Sequence, residues 1–160
     1  MIVTADGFQF DFPDAIDAFV FDDQDRESTN FHGLSHAMKA VDLVVELEND
    51  YLFVEMKDFH SPEDYSDGGY FNHLCESLKY KYRDSFLYRW AENKVNKPIR
   101  YLCLLNLDNA LLSRMNKEIN QQLPPGTPNS RWQRPIAESC VVLNQDRWNG
   151  NFPKWPVQKL

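Results

Sequence analysis

Asp42 and the triplet Glu55-Met56-Lys57 stand inside two stretches that otherwise hold apolar, strand-forming residues, VDLVVELENDYLFVEMK. Strand interiors rich in Val, Leu, Tyr and Phe carry core-facing charges only where those charges are paired or hold a metal. Two carboxylates beside a backbone carbonyl suit a hard cation such as Mg²⁺, which keeps several waters and binds through one or two carboxylates. Such an ion would make a bound water a better nucleophile and neutralise charge on a phosphoryl oxygen. Lys57 would orient that water or stabilise the developing negative charge.

For this chemistry the four residues must meet. Residues 40–47 and 51–59 read as two strands separated by Glu48-Asn49-Asp50. Asn49-Asp50 is an acceptable tight-turn pair because Asn and Asp tolerate positive φ. That turn sets Asp42 opposite Lys57 and Val44 opposite Glu55. Alternation along a strand then gives Asp42, Glu55 and Lys57 one shared face. Cross-strand neighbours lie about 4.5–5.5 Å apart and diagonal ones about 7–8 Å, within reach of one divalent ion. A one-residue slip would send Asp42 to the other face. The structural alternative is a sheet edge whose charges form an Asp–Lys–Glu cluster that guards against aggregation.

With Asp42 and Glu55-x-Lys57 on strand, turn and strand, the chain resembles the PD-(D/E)XK nuclease superfamily, from about residue 10 to 107 in element order. The resemblance implies an α/β fold with a central mixed β-sheet flanked by helices, the restriction-endonuclease-like core. It also implies that Asp42, Glu55 and the Met56 carbonyl hold Mg²⁺ (or Mn²⁺) while Lys57 assists the attacking water. Ala40-Val41 stands where the family's nominal Pro precedes the Asp. Relatives often add an acid from the first helix, which points to Asp17 as a further metal ligand. They commonly add a basic side chain from the helix after the ExK strand, which points to Lys81. The implied substrate is DNA, and less readily RNA, in restriction, repair or defence against mobile DNA.

The remaining elements follow from periodicity. Residues 7–12 alternate as a short strand, and Pro13 opens a predicted helix, PDAIDAFVFDD, carrying Asp17. Residues 23–39 are polar and loop-like, with His32 and His36 near the mouth of the site. His36 is a candidate substrate contact. The main helix is predicted over residues 71–93, with Leu74, Leu78, Tyr82 and Phe86 along one stripe. Lys81 and Ser85 fall on one margin of it, Lys79 and Arg83 on the other. Lys79 and Arg83 are candidate substrate contacts, or else solvated flank residues whose stems cover apolar surface. Residues 99–107 read as a strand covered on both faces, and Asp108 as the cap of a helix buried through Leu111, Leu112, Met115 and Ile119. Residues 139–144 read as a last strand. Residues 145–160 are expected to wrap the domain without regular structure, inserting Trp148, Phe152 and Trp155 as anchors.

The 160 residues are the size of one domain with its own core. No run approaches the roughly 18 apolar residues of a membrane span, no leader pattern is visible, and a cytoplasmic location is expected. Cys75, Cys103 and Cys140 lack ligand spacing and read as buried thiols. The net charge of −7 is unevenly spread. Residues 1–70 carry 17 acidic and 3 basic side chains, whereas residues 71–160 carry 7 and 14. This polarity suggests a basic face for a polyanion, or else halves that interleave in space. The acidic total argues against tight, sequence-independent duplex binding. It leaves open a protein partner or homodimer, including a nuclease subunit that needs a basic partner, and a catalytically silent interaction module.

Overall fold

The computed structural model describes residues 1–160. Its centre is a five-stranded mixed sheet in the order β3 (Asp17–Val20), β4 (Leu43–Glu46), β5 (Tyr51–Lys57), β6 (Ile99–Leu105), β7 (Ser139–Leu143). β3, β4 and β5 pair antiparallel, while β6 and β7 continue the sheet parallel to β5. The parallel pairings need long crossovers, and α1 (Gly68–Ala91) and α2 (Asn109–Gln122) supply them.

One face of the sheet packs on these two helices. Tyr51, Phe53, Tyr101 and Cys103 meet Leu74, Leu78, Tyr82, Leu112, Met115 and Ile119 in a single cluster. The Asp67 carboxylate accepts from the Gly69 and Tyr70 N–H groups at the start of α1. Asp108 accepts from Leu111 N–H at 2.8 Å, as its capping role requires. All three cysteines are buried free thiols on this side, and burial pushes Cys75 up to about 11.

The mixed sheet with flanking helices is as expected, but its opposite face carries more than a helix. That face is covered by a three-stranded antiparallel sheet, β1 (Ile2–Ala5), β2 (Phe8–Asp11) and β8 (Val157–Lys159), together with the short α3 (Gln145–Asn151). Phe8 and Phe10 on β2, with Phe12 just after it, project inward against Leu52, Val54, Met56, Trp148 and Trp155. The predicted helix from Pro13 is absent, because residues 17–20 form β3 and pair with β4 from Asp17↔Glu46 to Val20↔Leu43. The tail does insert Trp148 and Trp155, both fully buried, but it is regular. α3 ends before Pro153, and β8 begins directly after Pro156 at the edge of the small sheet. The prolines mark boundaries here and do not forbid elements.

The two charge-biased halves interleave. Lys97 bonds Glu46 at 2.7 Å, Arg100 reaches Asp50 at 3.4 Å, Lys154 reaches Asp14 at 3.3 Å, and Lys159 pairs with Asp58. Each of these pairs sets an acid of the first half against a cation of the second. Lys79, Arg83, Arg114 and Lys117, on the two helices, form no ion pair. No helix is long and apolar enough to cross a membrane.

Candidate active site

The β4–β5 hairpin differs from its predicted register by two residues. Leu43 pairs with Val54 and Glu46 with Tyr51, and Leu47 N–H donates to the Asp50 carbonyl at 2.8 Å. The turn is therefore Glu48-Asn49, one residue earlier than Asn49-Asp50. Neither residue adopts positive φ, so tolerance of that region does not select the turn. Contacts from the approach to β6 hold it: Lys97 Nζ donates to the Leu47 carbonyl at 2.8 Å, and Tyr51 N–H donates to the Pro98 carbonyl at 2.8 Å. A two-residue shift keeps every side chain on its face. It also improves the site, since extending the observed register sets Asp42 directly opposite Glu55 and not opposite Lys57.

Asp42 lies just before β4 and is fastened on both sides. Its carbonyl accepts from Phe21 N–H at 2.8 Å. Its Oδ2 accepts from Met56 N–H at 2.7 Å, so a side chain completes the ladder where β4 has ended. Within a strand the N–H and C=O of one residue point to the same side, which turns the Met56 carbonyl toward Asp42. The neighbouring Val41 N–H donates to Ser85 Oγ at 2.9 Å. Ser85 shares a helix margin with Lys81, one turn away, and ties α1 to the acid-bearing segment.

Glu55 is fully buried. Lys81 Nζ donates to its Oε1 at 2.6 Å and lies 3.8 Å from Asp42 Oδ1. Lys57 Nζ stands 3.4 Å from the same Glu55 oxygen, with its side chain 37% exposed against 13% for Lys81. Two acids and two ammonium groups thus converge at one end of the sheet. Glu55 Oε2 is buried with no hydrogen-bond partner.

Burial dominates the electrostatics. It pushes Glu55 up to about 8, and the Asp42 charge adds to this against the pull of Lys81 and Lys57. Asp42 is raised for the same reason, opposed by Lys81 and by the Met56 N–H. The charge of Asp6, in the tight turn between β1 and β2, also reaches Asp42 and adds to the rise. Burial alone would lower Lys81, but the Glu55 and Asp42 carboxylates outweigh it and raise its pKa.

A pH dependence follows. In the folded chain Glu55 holds its proton up to about pH 8, against 4.5 as its ordinary value. The folded state therefore binds more protons across that window, and this residue's contribution to stability falls as pH rises through it. Denaturant titrations of wild type and Glu55→Gln should diverge between these limits, with the wild type losing stability relative to the variant. Parallel profiles would contradict the raised pKa.

The other candidates do not join the cluster. Asp17 pairs with Glu46 on β3 and is exposed, four residues along the sheet from the level of Asp42, about 13 Å at strand rise. A strand replaced the helix that was to carry it inward. Lys79 and Arg83 lie two residues either side of Lys81, about 200° around the helix. Lys79 bonds Gln122 on α2 at 3.1 Å, and both stand over the Tyr80 ring. His36 is exposed in the loop. His32 is buried between Phe21 and Tyr88 and accepts from Leu34 N–H at 3.0 Å, a packing role. Asp6 and Ser85 were the residues missed as contributors. Ser85 was legible from its shared margin with Lys81, and Asp6 from the Asp6-Gly7 turn pair.

No group of three or more His, Cys, Asp or Glu side chains gathers as a metal site, so a cation here would rest on two carboxylates and a carbonyl. Comparison of the chain with family models, with curated proteins and with solved structures finds no match in any of the three.

Proposed function

We propose that this protein is a metal-dependent nuclease that hydrolyses phosphodiester bonds of DNA, and less readily of RNA, on a restriction-endonuclease-like core. The observation that carries this reading is the convergence of Asp42, Glu55, Lys57 and Lys81 at one end of the central strands, with Glu55 Oε2 buried and unpartnered. Natural proteins pair almost all buried polar atoms, so an orphaned carboxylate oxygen beside a second carboxylate fits a cation donor set. Asp42 Oδ1, Glu55 and the Met56 carbonyl would hold Mg²⁺ or Mn²⁺. When bound, the ion would supply charge neutralisation at a phosphoryl oxygen and an activated water.

The remaining work falls to the chain's own residues. Lys57, at the more exposed rim, can orient a water or meet the charge that grows on a phosphate oxygen. Lys81 can bring a second ammonium to the phosphate from the helical side. Ser85 and the Met56 N–H hold the Asp42 segment in place. The unpaired cations Lys79, Arg83, Arg114 and Lys117 on the helical layer offer contacts to a polyanion. The order of pairings across the sheet, two antiparallel and then two parallel, is compatible with the proposed core.

The test is cleavage of single- and double-stranded DNA and of RNA with Mg²⁺ or Mn²⁺. Metal-dependent cutting is expected, falling by about 10²–10³-fold in Lys57→Ala. Equal cutting by wild type and variant would remove Lys57 from the reaction.

A second reading is a catalytically silent member of this fold that serves as an interaction module. The observation favouring it is that both acids already have partners within the chain, Lys81 on Glu55 and Asp42 and Lys57 on Glu55. Titration calorimetry with Mg²⁺ separates the two, because a silent module shows no binding that depends on Asp42 and Glu55. A nuclease subunit requiring a basic partner would instead bind the ion and cut only once that partner is added.

A further inference from the structure

The Lys81 ammonium lies where a cation shared by Asp42 and Glu55 would lie. Its Nζ is 2.6 Å from Glu55 Oε1 and 3.8 Å from Asp42 Oδ1, and it makes no other ion pair. We propose that Lys81 is a built-in competitor for the cation position, so that a divalent ion must displace its ammonium before the two acids can hold the ion. This rests on the reading of Asp42 and Glu55 as a cation site.

Three features support it. With both acids ionised, the four charges sum to zero, and adding a dication without moving an ammonium would leave a large uncompensated positive charge around a fully buried carboxylate. The two lysines are not equivalent. Lys57 touches only Glu55, from the rim, at 3.4 Å, whereas Lys81 spans both acids and is the more buried of the two. Finally, lysine suits a movable plug. Its point charge sits on a flexible four-carbon stem and does not lock a carboxylate in the bidentate manner of arginine. The backbone beneath it is fixed on α1, and Ser85, one turn further on, anchors Val41 separately. The side chain can therefore leave while the acid-bearing segment stays in place.

The experiment measures Mn²⁺ binding to the full chain by the electron paramagnetic resonance signal of free Mn²⁺, for wild type, Lys81→Met, Glu55→Gln and the double variant. If the ammonium fills the position nine-tenths of the time or more, Lys81→Met is expected to bind Mn²⁺ about tenfold more tightly than wild type or better, and both proteins carrying Glu55→Gln should lose binding. Equal affinity in wild type and Lys81→Met, with binding still abolished by Glu55→Gln, would overturn the competitor role and leave the cation site standing. No saturable binding in any protein would remove both. A second measurement does not depend on the folding of a variant. In wild type, acetylation of Lys81 by an amine-directed reagent, read by mass spectrometry, should accelerate several-fold on saturation with Mn²⁺. An unchanged rate at saturation would overturn the proposal.

Discussion

Glu55→Gln is expected to abolish saturable Mn²⁺ binding and to lower metal-dependent phosphodiester cleavage by on the order of 10³-fold, the scale set by losing several kcal/mol of charge stabilisation. The substitution is nearly isosteric, removes the capacity to ionise, and keeps an oxygen able to accept from Lys81 at the position now 2.6 Å away. Because burial already favours the neutral form of this side chain, the variant should fold at least as well as wild type. Loss of binding and turnover with unchanged or higher thermal stability is thus the expected signature. Glu55→Gln with full activity would end the assignment of this residue, and with it the proposed reaction. Asp42→Asn should behave similarly, while its remaining carbonyl oxygen can still accept from Met56 N–H.

The largest expected loss of stability lies far from that cluster. Trp155→Ala is expected to cost about 3–5 kcal/mol, the range for truncating a buried Trp. In a chain of this length that lowers the melting temperature by about 10 °C. Trp155 is fully buried in the layer between the two sheets, and its indole N–H donates to Asp14 Oδ1 at 2.6 Å. Its carbonyl accepts from the indole N–H of Trp148 at 2.7 Å. Truncation opens a cavity and strips the Asp14 carboxylate of a donor. Trp155→Phe should restore most of the packing but not that hydrogen bond. Thermal unfolding of the three proteins should rank wild type, Phe and Ala in that order, and an Ala variant within 2–3 °C of wild type, a shift worth only about 1 kcal/mol, would refute the anchoring role of the tail.

The site was legible because its signal tolerates an error of register. Asp42, Glu55 and Lys57 share a face whether the turn falls at Glu48-Asn49 or Asn49-Asp50, since the two registers differ by an even number of residues. Lys81 was nameable through the resemblance, which implies a basic side chain from this helix, and helix periodicity then separates its margin from that of Lys79 and Arg83. α2 and β6 were equally plain, the first from its stripe of Leu111, Leu112, Met115 and Ile119, the second from an unbroken apolar run. The failures have particular causes. Ile16, Phe19 and Val20 fit helical spacing, yet Phe19-Val20-Phe21 is an equally good short strand, and pairing with β4 decides the outcome. Ile16, which a helix would turn to the same side as Phe19 and Val20, is more than half exposed. Asp6-Gly7, both with positive φ, is a hairpin turn pair that sets β1 beside β2, which the alternation of residues 7–12 alone does not predict. In the tail, Pro153 and Pro156 lie just outside α3 and β8, so the count of prolines in the segment does not decide whether elements form between them. The second sheet could not be read from any one segment, since it joins the first dozen residues to the last four.

The bond from Met56 N–H to Asp42 Oδ2 gives one carboxylate two employers. One of its oxygens closes a rung that the main chain leaves open, and only the other is free for chemistry. An alanine at position 42 would therefore unzip the rim of β5 as well as remove a candidate cation ligand, and lost ion binding in that variant would say nothing about which injury came first. The same sharing constrains the position independently of any chemistry, because whatever replaces Asp42 must still bring an acceptor of the same reach to the Met56 N–H.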